Sequence, residues 1–88
     1  MNKYLVEFLG TMFFIYVILA TGNPLAIGAA LAIAITVALK ISGGNFNPAV
    51  TIALVIGKKM PLSDMLPYIL SQVAGGLVAL ELYKKVKL

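Results

Sequence analysis

Few side chains in this 88-residue chain could do chemistry. There are three acids, Glu7, Asp64 and Glu81, and no His, Cys, Arg or Trp. Without His or Cys there is no general base at neutral pH, no thiolate and no soft metal ligand, and scattered acids do not make a metal cage. No catalytic residue, metal or cofactor is therefore assigned. Amide and backbone chemistry remains. The stretch SGGNFNPAVTIAL (Ser42 to Leu54) sets two glycines, two asparagines and a proline before a short apolar run. Asn47 suits a helix N-cap and Pro48 the first helical position, so a helix starts abruptly there. Its first turn carries free N–H groups and partial positive charge, and the Asn47 amide can donate beside them. Such a point would orient water or hydroxyl groups and repel cations and protons. Glu7 is the other conspicuous residue, an acid one turn into an apolar run, where a charge is costly and usually functional. It reads as a loop brace, a surface-reaching carboxylate, or a proton-coupled group. Gln72 reads as a polar bond between helices or to loop backbone.

The elements that must hold these residues are membrane elements. The chain is 61% hydrophobic and 11% charged, with mean hydropathy +1.03, too apolar for a soluble domain this small. Its seven positive charges are all Lys, at the edges of apolar runs, which reads as membrane flanks rather than a nucleic-acid surface. The absence of Cys leaves the redox compartment open. The run from Tyr4 to Ala20 is just long enough to span, and with Glu7 and Gly10 inside it reads as a retained helix rather than a signal peptide. A turn, TGNP, leads to a second helix over 25–41, where Ala26, Ala30, Ala34 and Ala38 form one small-residue stripe and Gly28, Ala32 and Thr36 another. Ser63 or Asp64 can cap a third helix over 64–83, with a ridge of Ser71, Gly75 and Ala79. Gly10, Gly28, Gly75 and Gly76 are assigned to helix packing. Phe13, Phe14 and Tyr16 read as packing or lipid-facing residues.

One segment fits no span. After Pro48, PAVTIALVIG makes only about 15 Å of helix, half the hydrocarbon thickness. Non-helical backbone at membrane depth is tolerated only inside protein or against a watery cavity. Either the chain dips to mid-membrane and returns, with Gly43 and Gly44 making the sharp turn, or this is an ordinary loop with an interfacial helix. Spacing alone leaves the two level.

SGGNFNPAVTIAL closely resembles the first signature loop, built on Asn-Pro-Ala, of the aquaporin and aquaglyceroporin (major intrinsic protein) family. EFLGTMFF is similar to that family's first helix with its acidic residue, and YILSQVAGG to its third; NPAVTIAL and the third helix look most like the glycerol-facilitator branch. The resemblance implies an all-α integral membrane fold: three transmembrane helices plus one re-entrant loop and half-helix, half of the family's fold. Residues 1–88 would form a single transmembrane domain with helices at about 4–20, 25–41 and 64–83 and the loop and half-helix at about 42–57, in a multi-pass protein of the cell membrane. It implies that Asn47 faces a pore, that Pro48 and Ala49 launch and pack the half-helix, and that Ile27, counted back from Asn47, supplies an outer constriction. Glu7 would brace the loop, with Gly43, Gly44, Asn45 and Gln72 around it. The implied activity is passive flow of water or small neutral solutes such as glycerol, with no enzyme activity and no cofactor.

The pattern departs from the family's in four ways. Only the first of two inverted halves is present, Asn45 stands where a His is usual, the TGNP link is short, and no Arg exists to fill the selectivity position after a second signature loop. One copy cannot enclose a pore. Lys3, Lys40, Lys58 and Lys59 fall on one side of three spans and Lys84, Lys85 and Lys87 on the other, almost no orienting bias. The expected partners are therefore the lipid bilayer, a second copy in an antiparallel dimer or higher oligomer (or a separate second half-channel), and water or a small polyol; nucleic acid is not among them. Two alternatives stand beside the channel: a small dual-topology transporter coupling protons through Glu7, and a non-conducting fragment.

Overall fold

The computed structural model describes residues 1–86, and every regular element among them is helical. In chain order these are α1 (Lys3–Thr21), α2 (Pro24–Ala38), α3 (Pro48–Ile56), a 3-10 turn (Leu62–Asp64) and α4 (Met65–Lys85). Lys87, expected as a flanking charge, lies outside the described residues.

Asparagines start the first three helices. Asn2 Oδ1 accepts the Tyr4 and Leu5 N–H groups at 2.7 and 3.2 Å, Asn23 Oδ1 that of Ala26 at 2.9 Å, and Asn47 Oδ1 that of Ala49 at 2.8 Å. Pro24 and Pro48 follow two of these caps at the first helical position. Gly22, left-handed at φ 56°, ends α1, and the two-residue link turns α2 back antiparallel.

Two expectations need correction. α2 stops at Ala38 rather than 41, because the Ala38 carbonyl collects the N–H groups of Ile41 and Ser42, both at 2.9 Å, and tightens the chain into a turn. At 15 residues, about 22 Å, α2 is shorter than the two helices long and apolar enough to cross a membrane, Lys3–Thr21 and Leu62–Lys85. Asp64 sits where α4 begins but makes no capping bond. Its carboxylate instead takes Lys3 Nζ at 2.9 Å and the Tyr4 hydroxyl at 2.8 Å.

That cluster joins the first turns of α1 and α4, and the Tyr16 hydroxyl donates to the Val86 carbonyl at the far end, so the two long helices run parallel. α4 buries Tyr68, Gln72, Gly75 and Ala79, a stripe at three- and four-residue spacing. A Cβ at Gly75 would lie 2.5 Å from the Phe8 carbonyl oxygen and 3.2 Å from Met12 N, so the backbones touch through this glycine. α2 buries Ala30, Ala34 and Ala38, and the Phe46 ring wedges between that stripe and Gly10, where any Cβ would strike the ring. Gly76 meets Ile15 at ordinary distance. Packing at Gly28 does not hold within the chain: a Cβ there would meet nothing among the described residues, and Ala32 and Thr36 on the same stripe are exposed.

Candidate functional site

The largest fully buried side chains are polar: Gln72, Glu7 and Thr51. Such groups must find hydrogen bonds inside the molecule. Glu7 Oε2 accepts from the Ser42 hydroxyl at 2.7 Å and the Asn45 N–H at 3.1 Å, and Oε1 from the Phe46 N–H and Gln72 Nε2, both at 2.8 Å. Four donors fill the four acceptor directions of a carboxylate. Gln72 Nε2 also donates to Thr51 Oγ1 at 2.8 Å, which accepts Asn45 Nδ2 at 2.9 Å as well. Asn45 Nδ2 reaches Met60 Sδ at 3.0 Å, and the Tyr68 hydroxyl donates to the Ser42 carbonyl at 2.7 Å. One network therefore links α1, α3 and α4 to the chain between α2 and α3.

That connecting chain is unusual in its backbone. Gly43, Gly44 and Phe46 all have positive φ, at 88°, 66° and 55°. Glycine takes such angles freely, and a Cβ at Gly44 would press to 3.1 Å from Ile35 Cα. Phe46 does not take them freely. Its conformation is held by the N–H bond to Glu7 and by a ring only 2% exposed.

The turn delivers Asn47 to the start of α3 with its side chain exposed. Oδ1 caps the helix, and Nδ2 has no partner among the described residues. Asn47 and Pro48 line a crevice of about 240 Å³ with Thr11, Phe14 and Ile15 of α1 and Gln72 of α4. Thr11 to Ile15 is the middle of α1, so α3 begins level with the midpoint of the long helices. From there it runs nine residues, about 14 Å, toward the end where Lys3 meets Asp64.

Of the residues singled out in the sequence, the structure brings Glu7, Gly44, Asn45 and Gln72 into one buried cluster beside Asn47 and Pro48. Gly43 and Ala49 are exposed on the turn and on the first turn of α3. Ile27 lies half-buried in the first turn of α2 and does not line the Asn47 crevice. Ser42, Phe46, Thr51, Met60 and Tyr68 escaped the sequence reading. Of these, Tyr68 carried a usable signal, lying one turn before Gln72 on the same face.

Comparison with known proteins agrees with this pattern. The family model described as major intrinsic protein matches residues 1–87. The chain is 46% identical over 88 residues to glycerol uptake facilitator protein-like 6 of Lactiplantibacillus plantarum, covering 90% of this chain and 41% of that protein. It is 36% identical over 94 residues to aquaporin Z of Brucella melitensis, covering 90% of this chain and 41% of that one. It is 35% identical over 97 residues to aquaporin Z of Bradyrhizobium diazoefficiens, covering 93% of this chain and 40% of that one. No solved structure matches. The chain thus spans about two fifths of the length of these relatives. With the family pattern running through residues 1–87, from the Glu7 helix through Asn-Pro-Ala to the Gln72 helix, the chain belongs to the major intrinsic protein family of integral membrane proteins.

Proposed function

We propose that this chain forms half of a passive channel for water or small neutral solutes such as glycerol, completed by a second half packed in the opposite membrane orientation. In this reading α1, α2 and α4 cross the bilayer, the segment from Leu39 to Asn47 descends to mid-membrane, and α3 returns to the same face. The observation that carries it is the placement of Asn47: a free amide donor at the start of a half-length helix, level with the midpoint of α1, on a buried network centred on Glu7. A helix N-terminus and an amide donor at that depth would orient solute hydroxyls and oppose cations. Pro48 and Ala49 start the half-helix, and Glu7, Gly43, Gly44, Asn45 and Gln72 hold the turn. The names of the relatives, a glycerol uptake facilitator and aquaporins, support the solute class.

Among second halves we favour another copy of this chain. Lys3, Lys40, Lys58 and Lys59 flank one end and Lys84 and Lys85 the other, so neither orientation is strongly imposed. The exposed stripe Gly28, Ala32 and Thr36 is left for an outside helix. A proton-coupled role for Glu7 fits less well, because all four of its acceptor directions are occupied by fixed donors. The test is stopped-flow shrinkage of liposomes holding only this protein, under sucrose and then glycerol gradients. Shrinkage faster than in protein-free liposomes, and independent of a proton gradient, is expected. Rates equal to those of protein-free liposomes would leave an assembly partner without conduction.

A further inference from the structure

Residues 57–61, which connect α3 to the 3-10 turn, make one side-chain hydrogen bond among the described residues: Met60 Sδ accepts Asn45 Nδ2 at 3.0 Å. The connection is also strained. Lys58 sits at φ 61°, which a non-glycine residue keeps only under restraint. Its N–H and that of Lys59 bond back to the Val55 and Leu54 carbonyls at 3.1 and 2.8 Å. A thioether is a weak acceptor, yet here it ties this reversal to the turn that Glu7 holds. Asn45 is the intermediary, since its N–H bonds Glu7 and its Nδ2 also bonds Thr51.

Met60 differs from the chain's other methionines. Met1, Met12 and Met65 accept no hydrogen bond through sulfur among the described residues. Met12 lies in the middle of α1, in an apolar pocket with Phe13, Tyr16 and Leu82. Met60 is half-buried and lines a crevice of about 450 Å³ with Lys58 and Lys59. Both lysines are exposed and make no ion pair among the described residues, so the crevice is wet and open to polar reagents.

We infer that Met60 is a modification site, oxidised by a peroxide to the sulfoxide, and that oxidation releases the 57–61 connection from the turn before Asn47. In this step a sulfur lone pair attacks one oxygen of hydrogen peroxide, and the O–O bond breaks. That oxygen stays on sulfur, its proton passes to the departing hydroxide, and water leaves. The thioether loses two electrons and the peroxide gains them. Asn45 occupies one sulfur lone pair, so the oxygen adds at the other and a single sulfoxide epimer forms. The oxidised sulfur is partly positive and no longer accepts from Asn45 Nδ2. Thr51 keeps its own bond to that amide, so the change is confined to the connection, and a sulfoxide reductase reverses it.

Release does not depend on conduction and is read in detergent micelles. The full chain is treated with dilute hydrogen peroxide, and each methionine is followed by peptide mass spectrometry. Met60 should reach the sulfoxide while the chain stays folded, and ahead of Met12. On the isolated peptide, one of the two epimer-specific reductases should remove the oxygen and the other should not. In the intact oxidised chain, hydrogen exchange at the Lys58 and Lys59 amides should run about two- to fivefold faster, the effect of losing one weak hydrogen bond. Met60→Leu, which has no acceptor, should show the fast exchange before peroxide and no further change after it. Resistance of Met60 to peroxide in the folded chain overturns the assignment. So does equal reduction by both enzymes, or exchange that stays slow in the oxidised chain or in a folded Met60→Leu. If Met60→Leu does not fold, oxidation of the unaltered chain still decides.

Discussion

Glu7 accepts four hydrogen bonds with two oxygens, and two of the donors are main-chain N–H groups that cannot move away. Those two bind different oxygens, Asn45 at Oε2 and Phe46 at Oε1. In Glu7→Gln, whichever way the amide turns, one of them must face an NH2. Ser42 can rotate its hydroxyl to accept; a backbone N–H cannot. Glu7→Gln should therefore fold with a loss of about 1–3 kcal/mol, the cost of one buried unpaired donor, and keep much of its permeability. Glu7→Leu strands all four donors and should fail to assemble. Denaturant unfolding in micelles, paired with liposome shrinkage, checks both, and a folded Glu7→Gln with no transport at all would instead favour proton coupling. Glu7 was legible in the sequence because an acid inside an apolar run demands a reason. Thr51 was not, because a threonine in a helix ordinarily bonds its own backbone, and its receipt of Asn45 and Gln72 depends on a turn that brings distant segments together.

Among the helices, adjacent glycines of α4 give a controlled comparison. A methyl at Gly75 would meet the Phe8 carbonyl and Met12 N, backbone atoms that yield only if α1 and α4 separate. A methyl at Gly76 would meet Ile15 Cγ1 at 3.7 Å, ordinary contact. Gly75→Ala should cost about 1–3 kcal/mol, while Gly76→Ala should be near neutral; equal effects in an unfolding titration would contradict the packing of α1 on α4. The sequence revealed that small residues line α2 and α4, since spacing alone shows a stripe. It did not reveal which stripe meets a helix of the same chain: Gly75 touches α1, whereas a Cβ at Gly28 would meet nothing among the described residues. Boundaries failed for the same reason. Asp64 looks like a cap by type, yet its partners Tyr4 and Lys3 are 60 and 61 residues away and become neighbours only once α1 and α4 lie parallel.

The assembled molecule measures 39 × 23 × 23 Å, long enough to cross the roughly 30 Å hydrocarbon layer along one axis. With lysines at both ends, a reporter on either terminus should appear on both faces of the membrane, and lysines added to the link between Thr21 and Pro24 should drive one orientation. Uniform orientation of the unaltered chain would exclude antiparallel pairs of identical copies. The central claim, that Asn47 faces a solute path, is tested most directly by Asn47→Asp in liposomes read for osmotic permeability and, with a pH-sensitive dye, for proton leak. Asp still accepts the Ala49 N–H and caps α3, but it donates nothing and places negative charge at the positive end of the helix. The expected result is a chain that folds and inserts yet loses neutral-solute flow or leaks protons. Unchanged water flow with unchanged proton tightness would mean that Asn47 faces no pore.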